Sequence, residues 1–328
     1  MKNFKVDLLN IVLIIVALVL AILLPFELFL LTYAFIGPLH YLTEINWLEQ
    51  KNYFMPSKRL FVPLVIVAML VVLPKTLGFV GITNPAIDWI NNWSNVLLFG
   101  ALAFSFAWII SNQIIVRSVV LIALLITGAL LKDQPLFLLV VGALLPTLIH
   151  VYLFTGLFML SGALKSKNYL GILSVVLLAA IPFIVANLQV DPDIYTFSNT
   201  TKERYAMNGF GEVIIQIQRW LDTGNARFLF YDPNIIRFQI FIAFAYFYHY
   251  LNWFSKTGII GWGKALTGVR TYIVLGLWAI CSALFLFDYR IGFMSSLLLS
   301  FLHVTLEFPL NIVSIRTIFL APLPFFKK

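Results

Sequence analysis

The chain has 328 residues, of which 61% are hydrophobic and 11% are charged, and its mean hydropathy is +0.96. A soluble domain carries about 25% charged residues, so this composition excludes an ordinary water-soluble globule. The single cysteine, Cys281, excludes an internal disulfide, a CxxC redox pair and a cysteine-ligated zinc or iron–sulfur site. The net charge of +8 does not indicate nucleic-acid binding, because the Lys and Arg residues are scattered between apolar runs.

Apolar runs of about 20 residues, the length of helix that crosses a bilayer, recur along the chain. We predict an all-α polytopic bundle of nine or ten spans that forms one membrane domain over residues 1–328. The third and fifth runs are short enough to be tilted or re-entrant, and we expect the first to remain as an anchor. The ten runs are Leu8–Leu24, Glu27–Trp47, Leu60–Pro74, Asn95–Ser111, Val119–Leu131, Pro135–Ala163, Tyr169–Asn187, Ile235–Phe254, Tyr272–Phe287 and Ile291–Val313.

The positive charges predict the orientation of these spans. If the N-terminus is cytoplasmic, most Lys and Arg residues fall on the cytoplasmic side, and the short outer turns carry only Lys75, Lys132 and Arg290. This asymmetry is typical of membrane proteins with short loops. It predicts ten spans with both termini cytoplasmic.

One long polar segment, residues 188–234, interrupts the apolar runs and is predicted to be an extracytoplasmic loop. Part of it alternates apolar and polar side chains at helical spacing, which predicts an amphipathic helix on the outer membrane surface. Such a helix could cover the bundle, act as a lid or gate for a lipid-soluble substrate, or dock a partner. Its apolar positions are Phe210, Val213, Ile214, Ile217, Trp220 and Leu221.

All four histidines of the chain, His40, His150, His249 and His303, lie inside predicted spans. In the topology above, their helices all run from outside to inside. Each histidine follows the outer end of its span by a similar number of residues, which places all four about 18–22 Å below the outer boundary. Imidazole is a common metal ligand and is costly to leave unsatisfied in hydrocarbon. We therefore predict that the four rings converge on one metal or cofactor.

Polar residues follow three of the histidines at helical spacing. Glu44 and Glu307 lie four residues after His40 and His303, so each carboxylate shares a helix face with its histidine. Asn252 lies three residues after another histidine. These three side chains are predicted to accept the ring N–H that a ligating histidine does not use. Alternatively, Glu44 or Glu307 is itself a ligand, which would make a mixed nitrogen and oxygen site.

Prolines stand beside three of the histidines. Pro38 and Pro146 each precede one, and Pro309 follows another. A proline inside a span frees backbone carbonyls and kinks the helix. We therefore expect the bundle to widen at this level.

Ligation by histidine without thiolates suits iron, copper, nickel or zinc, and disfavours calcium or magnesium. The sequence does not choose among the first four. Haem b is the main competitor, because two bis-histidine pairs on four helices would hold two haems. Haems that carry electrons across a membrane usually lie at different depths, whereas these four histidines lie at one level. We therefore favour a single non-haem metal.

Aromatic residues surround the histidines, and pockets for lipophilic ligands are mostly apolar with a few polar groups. We therefore predict a slot for a long, flat, apolar molecule drawn from the lipid phase. The residues selected as its lining are Tyr41, Tyr152, Tyr246, Tyr250 and Trp253.

Two stretches carry a resemblance to a known family. GPLHYLTEINWL, which begins at Gly37, and HYLNWFSK, which begins at His249, resemble bacterial integral-membrane proteins labelled as β-carotene oxygenases and, more loosely, the Brp/Blh family of carotenoid dioxygenases. The resemblance implies a bacterial inner-membrane enzyme that cleaves β-carotene into two retinals with dioxygen and a non-haem iron(II). The iron ligands implied are His40, His150, His249 and His303.

The match is local and departs from the family pattern, in which two of the histidines lie close together on one helix. Here Glu307 takes the position four residues after His303.

These observations predict a membrane-embedded non-haem iron oxygenase whose partners are the bilayer, a lipophilic substrate and dioxygen, without nucleic acid. One alternative is an ion- or proton-coupled transporter in which Glu27, Glu44, Glu307 and the histidines form a path. Another is a haem-binding or structural subunit of a membrane complex. A path spreads its polar groups along the membrane normal, whereas a catalytic site gathers them, so the positions of these side chains discriminate between the two.

Overall fold

The computed structural model describes residues 2–221 and 226–320, with side chains from residue 5 onward. It is 85% helical, and no strand occurs in these two ranges, which confirms the all-α fold class. Eight helices are long and apolar enough to span a membrane, and a ninth span results if the bent pair Pro85–Asn92 and Ser94–Ile110 is counted as one. The chain is therefore a multi-pass membrane protein.

The helices are numbered here in chain order, and π-helical or 3₁₀ turns that continue a helix are counted with it. They are α1 (Lys2–Leu23), α2 (Pro25–Gln50), α3 (Lys58–Phe79), α4 (Pro85–Asn92), α5 (Ser94–Ile110), α6 (Ile114–Leu131), α7 (Pro135–Ser166), α8 (Tyr169–Ala186), α9 (Asn199–Met207), α10 (Glu212–Trp220), α11 (Pro233–Ser255), α12 (Val269–Phe287) and α13 (Tyr289–Leu320).

The third and fifth predicted spans are full-length helices, so the re-entrant alternative does not apply. The run Leu60–Pro74 extends to α3 with 22 residues, and the run Val119–Leu131 extends to α6 with 18 residues. Pro74 lies inside α3 without ending it. Only 6% of α6 is buried by the rest of the protein, so this helix lies at the periphery with its apolar side chains available to lipid.

Three helices, α2, α11 and α13, form the centre of the bundle. Of the apolar windows of α2 and α13, 72% and 56% respectively are buried inside the protein. Helix α11 was predicted as a span, but it is not among the eight helices counted above. Its many tyrosines and amides lower its mean hydropathy. It is nevertheless well buried, because protein rather than lipid surrounds it. Its start is fixed by Pro233 and by the carboxylate of Asp232, which accepts two backbone N–H bonds.

The helices that carry histidines all begin at one end of the bundle. At this end, Gln239 of α11 donates to the carbonyl of Pro25 in α2 at 2.9 Å. Tyr289 of α13 donates to the carbonyl of Leu30 in α2, also at 2.9 Å. Helix α7 likewise runs away from this end, since Thr147 near its middle shares a cavity with residues of the loop between α8 and α11. The parallel direction of these four helices agrees with the predicted topology.

The loop between α8 and α11 is folded as a cap over this end, which we call the loop end. It contains the predicted amphipathic helix as α10 and a second helix, α9, that the sequence pattern did not indicate. Phe26 of α2 packs against Phe197 and Tyr205 of the cap, with ring centroids 4.7 and 4.9 Å apart. Ile214 of α10 is fully buried. The apolar face of α10 therefore packs on protein at Ile214, whereas Trp220 and Leu221 at its end are exposed.

Two of the three prolines widen their helices as expected. A π-helical turn, Thr32–Ile36, precedes Pro38 in α2, and a longer π-helical segment, Leu138–Phe154, contains Pro146 in α7. Thr147 leaves helical geometry at φ −118° and ψ −107°, and its hydroxyl donates to a carbonyl one turn earlier. Pro309, in contrast, lies within the continuous helix α13.

Candidate metal centre

The four histidines meet inside the bundle. His40 is on α2, His150 on α7, His249 on α11 and His303 on α13, and their exposed fractions are 0%, 1%, 6% and 2%. The four rings contact one another in a closed circle, with centroids of neighbouring rings 4.6 to 5.3 Å apart. The structure therefore brings together all four side chains selected from the sequence.

The Nε2 atoms of the rings face one another in two pairs. Nε2 of His249 is 3.0 Å from Nε2 of His40, and Nε2 of His150 is 2.9 Å from Nε2 of His303. His40, His249 and His303 each present a nitrogen, and these three nitrogens lie within 4.8 Å of one another, which is within reach of a single ion. His150 lies outside this group of three and contacts it through His303 and His249.

Neighbouring side chains hold the Nδ1 atoms of two rings. Nδ1 of His249 is 2.6 Å from Oγ1 of Thr155, whose hydroxyl donates to the carbonyl of Val151, so the threonine oxygen accepts from Nδ1–H. Oε2 of Glu307 lies 2.9 Å from Nδ1 of His150. A proton on Nδ1 leaves the lone pair of Nε2 free to bind a metal.

These partners differ from the predicted ones. Glu307 contacts His150 on a neighbouring helix, whereas we expected it to serve the histidine of its own helix. Asn252 was expected to accept from His249, but Thr155 takes that role. Thr155 is on α7 and has no sequence relationship to α11, so only the packing of the two helices reveals it.

Glu44 lies on the ligand side of its histidine. Its Oε2 is 3.0 Å from Nε2 of His40, the same nitrogen that faces His249. A carboxylate in the outer shell of a metal contacts the nitrogen that does not ligate. Glu44 therefore lies on the side of His40 that a ligand would take, but its carboxylate is not among the three donors that lie within reach of a single ion.

The two carboxylates are buried without a cationic side chain. Glu44 is 2% exposed and Glu307 is 7% exposed, and the only ion-pair contacts that they make with described residues are those to the histidines. An ionised carboxylate in a low-dielectric interior is costly unless a positive charge accompanies it. One divalent cation among four neutral imidazoles would balance both negative charges.

The distances between ring nitrogens fit one ion better than a haem. Two nitrogens bound at right angles to an ion, each about 2.1 Å away, are about 3.0 Å apart. Nitrogens on opposite faces of a haem iron, with similar bond lengths, are about 4 Å apart and have a porphyrin between them. The observed separations of 2.9 and 3.0 Å match the first arrangement, and they are also the length of a hydrogen bond between two imidazoles.

A pair of tyrosines lies against the histidine rings. Tyr41 stacks on His303 with ring centroids 4.3 Å apart, and Tyr250 packs on His40 at 4.7 Å. Their hydroxyls are 2.8 Å apart and share a hydrogen bond. Gly37 lies beside this pair, because a Cβ at that position would be 3.0 Å from Oη of Tyr41. A methyl group at this position would force the tyrosine hydroxyls to shift by a few tenths of an ångström.

A cavity of about 420 Å³ lies between the histidines and the cap. Three of its lining residues, Thr147, Tyr246 and Ser300, each precede a histidine by three residues, or about 4.5 Å along a helix. Phe210 and Val213 of the cap line its other side. A lipophilic molecule in this cavity would lie about one helical turn from the histidine rings.

The five aromatic residues selected as a substrate slot do not form one wall. Tyr246 lines the cavity, and Tyr41 and Tyr250 lie between it and the histidines. Tyr152 instead donates its hydroxyl to the carbonyl of Leu178 in α8, because residues two positions apart on a helix point to opposite sides. Trp253 lies on the other side of the histidines. Lining residues that the sequence pattern did not single out include Phe29, Phe293 and Leu297.

A second, small cavity of about 20 Å³ lies on the side of the histidines away from the cap. His40, His249, Glu44 and Glu307 line it together with Asn252, whose buried Oδ1 has no hydrogen-bond partner among the described residues. Its volume suits one water molecule or one ion. The carboxylates of the site therefore face away from the larger cavity, whose lining is mostly apolar but includes Lys75 and Glu212.

No protein-family model, no curated protein and no solved structure matches this chain. Its function is therefore inferred from the geometry and chemistry of the site.

Proposed function

We propose that this chain is a membrane-embedded non-haem iron oxygenase that acts on a lipid-soluble polyene. Cleavage of β-carotene to retinal is the reaction implied by the sequence resemblance. In this proposal, His40, His150, His249 and His303 hold the iron(II), with Glu44 as a further oxygen ligand.

One observation carries the proposal. Four imidazoles from four separate helices converge in the membrane interior, together with two buried carboxylates that have no Lys or Arg partner among the described residues. Each of these groups alone would be costly in hydrocarbon. A single divalent ion satisfies the imidazoles and neutralises the carboxylates at once.

The donor set is compatible with iron. A set that mixes histidine and carboxylate occurs in non-haem iron(II) oxygenases and also in zinc enzymes, so the choice of iron in this proposal comes from the sequence resemblance. The carboxylate of Glu44 at 3.0 Å from Nε2 of His40 supplies that mixed character. The short separations between nitrogens speak against haem b.

When bound, the iron would supply the activation of dioxygen. The protein would supply the substrate site. In this proposal the cavity between the cap and the histidines holds an apolar substrate, and the Tyr41–Tyr250 pair separates this cavity from the polar groups. Thr155 holds the Nδ1 proton of His249, and the carboxylate of Glu307 lies beside Nδ1 of His150. Cleavage of one C=C bond by one dioxygen molecule yields two C=O groups, so the reaction balances without an external reductant.

The positions of the ionisable groups support an enzyme rather than a transporter. The histidines, Glu44 and Glu307 are gathered at one level around one point. Glu27, the remaining carboxylate of the hypothetical path, lies near the start of α2 and lines surface cavities of the loop end. The polar groups are thus concentrated rather than distributed along the helices.

We further propose that the cap faces outward from a bacterial inner membrane and that both termini are cytoplasmic. The distribution of Lys and Arg residues supports this orientation.

Metal analysis of detergent-purified protein tests the proposal. We expect about one iron per chain, no Soret band, and loss of the iron when any one of the four histidines is changed to alanine. The matched control is Tyr152→Phe, which removes a polar atom two residues after His150 but outside the site, and which should retain the iron. Metal-free protein from an iron-replete host, with histidine variants that behave like the parent, would contradict the proposal.

A further inference from the structure

A third cavity, of about 390 Å³, opens at the end of the bundle opposite the cap. We call this end the lysine end, because three lysines line the cavity there. Lys51 follows α2, Lys165 is in the last turn of α7, and Lys256 follows α11. Asp7 of α1 is the acidic residue among the lining residues. The cavity therefore has an excess of positive charge.

Asp7 balances only part of this positive charge, through its electrostatic attraction to Lys256. None of the three lysines forms a salt bridge with a described residue. The carboxylate of Asp7 accepts a hydrogen bond from Asn168 instead. Nζ of Lys256 lies over the ring of Phe158, 5.3 Å from its centroid, and burial lowers the pKa of this amine to about 8. An anion in the cavity would compensate all three amines.

The same cavity has an apolar side. Phe54, Ile259, Ile260 and Val313 line it beside the lysines, and Ile259 remains 42% exposed. A small soluble anion would leave this apolar surface uncovered. A phospholipid has a phosphate that can contact the lysines and acyl chains that can contact the apolar side chains. Basic pockets between membrane helices on the cytoplasmic side are typical binding sites for anionic lipid head groups.

We propose that this cavity binds the phosphate head group of an anionic phospholipid from the leaflet at the lysine end, with the lysines on the phosphate and the apolar residues on the glycerol and acyl chains. The site does not depend on the identity of the metal. It adjoins the metal centre, however, because Phe158, Ile260 and Leu310 line both this cavity and the small polar cavity beside the histidines. A bound lipid would thus shield the polar side of the centre from water.

Lipid binding to the full chain tests this proposal. Delipidated protein in detergent is titrated with phosphatidylglycerol, phosphatidylcholine or inorganic phosphate, and bound lipid is counted by native mass spectrometry alongside the thermal midpoint. We expect about one tightly bound phosphatidylglycerol per chain. Changing Lys51, Lys165 and Lys256 together to glutamine should weaken that binding about tenfold or more.

The matched control removes three charges elsewhere, through Lys132→Gln, Lys202→Gln and Arg290→Gln, and should bind phosphatidylglycerol like the parent. If the triple cavity variant does not fold, the double variant of the exposed residues Lys51 and Lys165 serves instead, with a smaller loss expected. Equal binding of phosphatidylcholine, equal stabilisation by inorganic phosphate, or undiminished binding by the cavity variants would each overturn the proposal.

Discussion

Glu307 lies 2.9 Å from Nδ1 of His150, on the opposite side of the imidazole from the Nε2 atom that faces His303. A carboxylate in this position orients the ring and makes its other nitrogen a better donor. We expect Glu307→Gln, which keeps the shape but removes the charge, to weaken metal binding by about 10–100-fold. Competition with a chelator of known affinity measures this loss.

Glu49→Gln is the matched control for this change. Glu49 lies on the same helix as Glu44 but forms salt bridges with Lys58 and Arg270 outside the site. Its replacement should leave the affinity for metal unchanged. If the Glu307 variant binds metal as tightly as the parent, the carboxylate of Glu307 does not have the role assigned to it.

A second prediction concerns Thr155, the partner of His249. Thr155→Val keeps the volume but leaves Nδ1 of His249 without an acceptor, so we expect metal affinity to fall about tenfold, with recovery in Thr155→Ser. Thr127→Val is the control, because Thr127 makes the same bond to a carbonyl one turn earlier on the peripheral helix α6. Equal losses in the valine and serine variants would indicate a packing effect instead.

A third prediction concerns the contact between Gly37 and the tyrosine pair. Gly37→Ala places a methyl group 3.0 Å from Oη of Tyr41 and 3.3 Å from Oη of Tyr250. We expect a loss of about 1–3 kcal/mol in stability and displacement of the tyrosines from the histidines. Thermal unfolding in detergent measures the first effect. Gly276→Ala, where a Cβ meets no atom within 4 Å, should not destabilise the protein.

A fourth prediction separates substrate binding from metal binding. Ala143 lines the apolar cavity, and Ala143→Phe would fill part of its volume. We expect this variant to keep its iron and to lose absorbance from bound polyene when the protein is purified from a carotenoid-producing host. Ala123→Phe, on the exposed surface of α6, should retain both. Retention of the polyene by the Ala143 variant would place the substrate elsewhere.

A fifth prediction follows from the pKa of Lys256, which burial lowers from 10.5 to about 8. Between these two values the unfolded chain holds a proton on Lys256 that the folded chain has released, so stability should rise with pH in this window. Below a pH of about 8 both states are charged, and the folded state carries the desolvation cost. Asp7, which lines the same cavity, opposes the shift.

Thermal midpoints of lipid-free protein across this pH range measure the effect. The Lys256→Met variant should be more stable than the parent near pH 7, and its midpoint should lack the rise between about pH 8 and 10.5. Identical pH profiles for the two proteins would contradict the assignment to Lys256.

Much of this architecture could be read from the sequence because membrane helices have a simple physical requirement. Length and apolar character were enough to locate α3 and α6, although their ends were drawn too short. The level of the histidines followed from the rise per residue of a helix. Contacts between helices could not be predicted in this way. The pairing of Thr155 with His249 depends on which face α7 turns toward α11, and the π-helical turns of α7 change which residues lie on that face.

The cap illustrates the same limit. The apolar spacing around Ile214 indicated a helix, but whether that face meets lipid or protein depends on tertiary packing. Helix α9 is short and polar, so it has no pattern that a sequence argument can use. Its one large buried side chain is that of Tyr205, which contacts Phe26, a residue far away in the sequence and close to the N-terminus.

The four histidines are spread over helices that span most of the polypeptide, from α2 to α13. Translation and membrane insertion deliver these helices one after another, so the coordination sphere is incomplete until α13 has joined its neighbours. If the proposed ion is bound, its loading would be a late event in biogenesis, because the four histidines come together only when the final helix has packed against the others.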